Sequence, residues 1–135
     1  MNRSIVIVDD DSDYYELLVY IFSSQYPKIT LIRVANETQW EQQFVDTYSI
    51  KPSMFIFDFF LGQLNGLELL KELKKNTIFS TVPVIIWTSY MDPKVVRECY
   101  QQGAASFISK AETLAEMKQQ ISIFCSYWFD VVRLK

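Results

Sequence analysis

Histidine is absent from this 135-residue chain. That excludes Ser-His catalysis, histidine-ligated zinc and any phosphohistidine formed on the chain itself. Only two cysteines occur, Cys99 and Cys125. Their spacing matches no metal motif and both fall on expected helices, so they read as reduced, packed thiols. No stretch is long and apolar enough to span a bilayer. The first apolar run, Ile5 to Val8, is too short for a signal-peptide core and runs straight into acids. The net charge of −3 comes with no long block of one sign, so nucleic acid is not expected as a direct partner. With half of its residues apolar, the chain is far from a disordered composition. Its length suits one domain with a real core, residues 1–135. The expectation is a cytoplasmic protein with no membrane segment.

What the chain does contain is a regular alternation of strand-like and helix-like segments. Strands are expected at about Ser4–Val8, Ile29–Val34, Ser53–Phe57, Val82–Trp87 and Ser106–Ile108. Helices are expected at about Ser12–Gln25, Glu37–Tyr48, Leu64–Lys75, Pro93–Gln102 and Glu112–Val132. The first, third and fourth strands are continuous apolar runs, as parallel strands covered on both faces require. Asp11 or Ser12 can cap the first helix, Asp92-Pro93 opens the fourth, and Gly103 stops it. Pro27, Pro52 and Pro83 precede strands, where a missing N–H costs little. Strict alternation predicts an α/β fold, doubly wound, with a parallel sheet of order 2-1-3-4-5 and helices on both faces.

The strand ends are chemically loaded. Asp9, Asp10 and Asp11 close the first run and Asp58 closes the third. The fourth closes on Thr88-Ser89 and the fifth on Lys110. In an open parallel sheet these ends share one edge, and ligands bind there at the switch between the first and third strands. Each residue has an ordinary role alone: helix cap, turn residue, solvated charge. Together they form the inventory for holding a divalent cation and moving a phosphoryl group onto a carboxylate. Clustered carboxylates raise each other's pKa unless a cation intervenes, and Mg²⁺ suits an all-oxygen set. Asp58 would be the nucleophile, Lys110 would neutralise the transferring oxygens, and Thr88 would donate to one of them.

The chain resembles, over nearly its full length, the receiver domain of two-component response regulators. The resemblance lies in Ile5-Val6-Ile7-Val8-Asp9-Asp10-Asp11, in Phe57-Asp58, and in Gly66-Leu67-Glu68-Leu69-Leu70. It continues in Pro83-Val84-Ile85-Ile86-Trp87-Thr88-Ser89 and in Gly103-Ala104-Ala105-Ser106-Phe107-Ile108-Ser109-Lys110. It implies a flavodoxin-like fold, a stand-alone receiver with no output domain, and phosphate taken from a histidine kinase or histidine phosphotransfer protein. Asp58 would be the phosphoacceptor. Asp10, Asp58 and the backbone carbonyl of Phe60 would bind Mg²⁺ directly, and Asp9 through a water. Thr88 and Lys110 would contact the phosphoryl group, with Thr88 and Phe107 forming the switch. The alternatives are an aspartyl-nucleophile phosphatase or phosphotransferase, and an unphosphorylated scaffold. The former normally has a second acid two residues after the nucleophile, where this chain has Phe60.

Three positions depart from the family pattern: Gly62 and Ala111 where prolines are common, and Phe107 where tyrosine is common. The peptide bond before Ala111 is therefore open to either isomer. Phe60 and Tyr90 are expected to border the path of water to the phosphoryl group. On the last helix, Leu114, Met117, Ile121, Phe124, Cys125 and Trp128 form a core stripe. Ile123, Tyr127, Val131 and Leu134 form a second one, surplus to the core. With Lys94 and Arg97 they mark an expected partner surface, or a homodimer face through helix four, strand five and helix five.

Overall fold

The apolar runs assemble into one five-stranded parallel sheet in a computed structural model that describes residues 3–62 and 64–134, with the backbone alone for 44–50 and 64. The strands are β1 (Arg3–Val8), β2 (Ile29–Val34), β3 (Met54–Phe57), β6 (Val84–Thr88) and β7 (Ser106–Ser109). A two-stranded hairpin, β4 (Phe60–Leu61) with β5 (Leu64–Asn65), lies between β3 and β6. The main sheet runs β2-β1-β3-β6-β7, which is the expected 2-1-3-4-5 once the hairpin is set aside. The helices are α1 (Ser12–Gln25), α2 (Glu37–Ile50), α3 (Gly66–Lys75), α4 (Pro93–Gln101) and α5 (Leu114–Cys125).

Strand parity divides the core into two layers. Val6, Val8, Phe55, Phe57, Val84 and Ile86 face one side, against Trp40 of α2, the leucines of α3 and Cys99 of α4. Ile5, Ile7, Met54, Ile56, Ile85 and Trp87 face the other, against Leu18, Ile21 and Phe22 of α1 and Met117, Ile121, Phe124 and Cys125 of α5. Both thiols are free and buried, which pushes them above their usual pKa. Among the described residues no helix is long and apolar enough to cross a membrane.

The caps explain most helix boundaries. Asp11 accepts from the Tyr14 N–H and Asp92 from the Lys94 N–H, while Gly103 takes a left-handed φ of +103° just past α4. Two helix starts differ from expectation, and the ends of α2, α4 and α5 differ by one or more residues. The third helix starts at Gly66 rather than Leu64, because Leu64-Asn65 pairs with Phe60-Leu61 and the Asn65 side chain caps α3 at the Glu68 N–H. The last helix starts at Leu114, capped by Thr113 at the Glu116 N–H. Its final turn, Ser126–Val131, widens into a π-helix. Leu114, expected in the core stripe, is exposed because it occupies the first turn, beyond the reach of the sheet. Ile123, Tyr127 and Val131 are exposed, as the surplus stripe requires.

Candidate functional site

The same parity that builds the core aims the site residues. One step past β1, Asp9 continues the Ile5/Ile7 side; past β3, Asp58 continues Met54/Ile56. Past β7, Lys110 continues the side of Ile108. Ladder bonds extend to these positions and fix them: the Asp9 N–H donates to the Val34 carbonyl at 3.1 Å, and the Asp58 N–H to Val8 at 2.9 Å. The Lys110 N–H likewise donates to the Thr88 carbonyl at 2.9 Å. Thr88 continues the opposite side, that of Val84 and Ile86.

Gly66 closes the site from below. A Cβ there would lie 2.8 Å from the Asp58 carbonyl oxygen and 3.2 Å from the Phe59 Cα, so only glycine lets α3 start against this loop. The Gly66 N–H donates to the Phe59 carbonyl at 2.7 Å.

Both carboxylate oxygens of Asp58 have internal donors. The Thr88 hydroxyl donates to Oδ1 at 2.6 Å, and the Lys110 ammonium to Oδ2 at 2.9 Å. The Lys110 Nζ also lies 2.9 Å from Asp9 Oδ2. Thr88 is itself held by the Tyr90 N–H, which donates to its Oγ1 at 3.3 Å. The three acids of the first run have separate tasks. Asp9 is buried and ion-paired, Asp10 is exposed, and Asp11 caps α1 while its own N–H donates to Asp9 Oδ1 at 2.9 Å.

Burial raises the Asp9 carboxyl to about 6, with the charge of Asp58 adding to the effect and Lys110 opposing it. Lys110 is shifted upward: burial works against its charge, but the two carboxylates outweigh burial. The pair is therefore attractive yet does not offset the cost of burying Asp9's charge.

Asp9, Asp10 and Asp58 each place a carboxylate oxygen within 4.8 Å of the others. One ammonium among three acids leaves negative charge uncompensated, so the all-oxygen donor set fits a hard divalent cation. Above it opens a cleft of about 360 Å³ lined by Asp10, Asp11, Asp58, Phe60, Thr88, Ser89, Tyr90 and Lys110. Phe60 and Tyr90 form its aromatic rim, their centroids 4.8 Å apart, with Phe59 stacked on Tyr90 at 5.3 Å.

The peptide bond from Lys110 to Ala111 is trans, since no cis bond occurs among the described residues. Phe107 is half-buried against the α2–α4 layer, and its N–H donates to the Tyr100 hydroxyl at 3.0 Å. Lys94 and Arg97 are exposed on α4. Sequence reasoning missed Tyr14, whose ring lies 4.3 Å from the Lys110 Nζ. The sequence places Tyr14 in the first turn of α1, three residues after Asp11, but nothing in it sets the direction of the ring.

A fold of this order with these groups at its carboxyl edge defines a receiver. The family model for the response regulator receiver domain matches residues 5–122, and the chain belongs to that family. Among curated relatives, the two-component response regulator ARR7 of Arabidopsis thaliana is 33% identical over 70 residues, covering 52% of this chain and 34% of its own. ARR6 of the same plant is 27% identical over 124 residues, covering 85% and 65%. The chain thus spans only a third to two thirds of these relatives' length. The phosphorylated cyanobacterial phytochrome response regulator RcpA shares the fold with a TM-score of 0.88 at 16% identity, over 99% of each chain. The Mn(2+)-bound form of response regulator Rcp1 does so at 0.84 and 20%, over 98% and 99%.

Proposed function

We propose that this chain is a phosphorylation-operated binding module that accepts phosphate from a phosphohistidine donor onto Asp58 with the help of Mg²⁺. The observation that carries this reading is the pair of donors on Asp58, the Thr88 hydroxyl and the Lys110 ammonium, beside the carboxylates of Asp9 and Asp10. A carboxylate oxygen of Asp58 forms the bond to phosphorus while the bond from phosphorus to the donor's imidazole nitrogen breaks, the nitrogen keeping the electron pair. Thr88 and Lys110 then transfer their hydrogen bonds from Asp58 to the phosphoryl oxygens. Asp10, Asp58 and the Phe60 carbonyl would hold the metal, with Asp9 acting through a water. When bound, Mg²⁺ supplies charge neutralisation for the same oxygens.

The donor is a histidine kinase or a histidine phosphotransfer protein, since this chain has no histidine of its own. Movement of Thr88 towards the phosphate frees space for Phe107 and reshapes the surface of α4, β7 and α5. Lys94, Arg97, Ile123, Tyr127 and Val131 lie on it, ready for a target protein or a second copy. The rim of Phe60 and Tyr90 shields the phosphoryl group from water. Labelling with acetyl phosphate, with and without Mg²⁺ and in Asp58→Asn, tests the core of the proposal. Metal-dependent labelling lost in Asp58→Asn supports it. Equal labelling in excess chelator, or stable labelling of the variant elsewhere, contradicts it.

A further inference from the structure

We infer that the ring of Tyr14 is a positioning element for Lys110, holding its ammonium at the acceptor through a cation–π contact. The inference rests on the proposed role of Lys110 and deepens it. A lysine ammonium has three N–H donors. Asp9 Oδ2 and Asp58 Oδ2 each take one at 2.9 Å. The Tyr14 ring centroid stands 4.3 Å from the same nitrogen, offering its negative face to the remaining charge. The Lys110 side chain is 8% exposed, so bulk water has little access to that position.

Lys110 needs such a constraint. Its stem has four rotatable carbons, and it leaves the end of β7 towards Ala111 through an ordinary trans bond. Tyr14, by contrast, is fixed. Its N–H is held by the Asp11 side chain at 3.0 Å in the first turn of α1, and its ring packs into the α1/α5 layer.

The ring rather than the hydroxyl does this. The Tyr14 hydroxyl is buried with no hydrogen-bond partner among the described residues. Burial, together with the charges of Asp9, Asp58 and Asp11, pushes its pKa far up, so it stays neutral and adds no anion beside Lys110. When phosphate joins Asp58, Lys110 exchanges a carboxylate oxygen for a phosphoryl oxygen. The Tyr14 face and the Asp9 carboxylate are not part of this exchange, so the ammonium pivots rather than wanders.

Two measurements on the full chain test this, comparing wild type, Tyr14→Phe and Tyr14→Leu. The first needs no phosphodonor. The Lys110 Cε–Hε resonance, assigned by NMR, is expected to be shifted upfield by the ring in wild type and Tyr14→Phe, and to lose the shift in Tyr14→Leu. The second is labelling of Asp58 by acetyl phosphate in Mg²⁺. Tyr14→Leu should lower the maximal rate about tenfold with little change in apparent donor affinity, and Tyr14→Phe should stay within about twofold of wild type. An unshifted Lys110 resonance in wild type overturns the inference. So does a folded Tyr14→Leu labelled at the wild-type rate, or Tyr14→Phe losing as much as Tyr14→Leu. If wild type takes no label at Asp58, the proposed function fails, and the resonance alone decides whether the ring holds Lys110.

Discussion

Replacing Asp9 by Asn should stabilise the metal-free protein at neutral pH, although it removes an ion pair. The folded chain holds the Asp9 proton up to about pH 6 instead of 3.8, chiefly because the carboxyl is buried. Asp9 therefore favours the fold fully below about pH 4. Its contribution falls as pH rises towards 6, above which the loss is complete. A shift of about two units corresponds to about 3 kcal/mol. Asn resembles the protonated form and can still accept the Asp11 N–H, while Lys110 keeps Asp58 at 2.9 Å. The attraction to Lys110 is already counted in that shift, and imperfect mimicry of the protonated carboxyl by Asn leaves a net gain on the order of 1–3 kcal/mol at pH 7.5. In urea unfolding with chelator this is a rise in midpoint of about 1 M. At pH 4 the two proteins should unfold together. Saturating Mg²⁺ should narrow the gap at pH 7.5, because only the native cluster binds metal and wild type gains more from it. A variant less stable than wild type at pH 7.5 in chelator would refute the reasoning, as would a difference that does not change between pH 4 and 7.5.

Opening the aromatic rim by Phe60→Ala with Tyr90→Ala should speed loss of phosphate from Asp58 several-fold, and Phe60→Asn should do so alone. An unchanged hydrolysis rate, followed by decay of the labelled protein, would remove the shielding role. Gly66→Ala should cost on the order of 1–3 kcal/mol in urea unfolding, since its Cβ would press on the Asp58 carbonyl at 2.8 Å. A neutral result would mean that α3 shifts freely. A beryllofluoride complex should change self-association or target binding, and Tyr127→Glu with Val131→Glu should suppress the change; sedimentation measures it. Identical behaviour in every case would leave the exposed stripe without a partner role.

Much of this molecule was legible because its signals are local and periodic. The continuous apolar runs at Ile5–Val8, Met54–Phe57 and Val84–Trp87 announce strands covered on both faces, and the structure buries every one of those residues. The acids, Thr88 and Lys110 were legible because a parallel sheet brings all carboxyl ends to one edge. The Phe60–Leu61 hairpin was not, because its strands are two residues each, too short for any period. Nor was the exposure of Leu114, where apolar spacing says which face a residue shares but not how far the sheet extends beneath it. The contact between Tyr14 and Lys110 spans two elements far apart in sequence. It depends on side-chain direction at the edge, which no pattern in the sequence encodes.

Core and site are written in the same register. Asp9, Asp58 and Lys110 extend the rows that begin with Ile5, Met54 and Ser106, while Thr88 extends the row of Val84. A one-residue insertion or deletion inside β1, β3 or β6 would turn that strand's later side chains to the opposite layer and its terminal group with them. Such an event damages packing and chemistry in one stroke. Insertions and deletions are therefore expected to be tolerated only in connections that leave strand register untouched, and the strands behave, towards them, like coding sequence that must stay in frame.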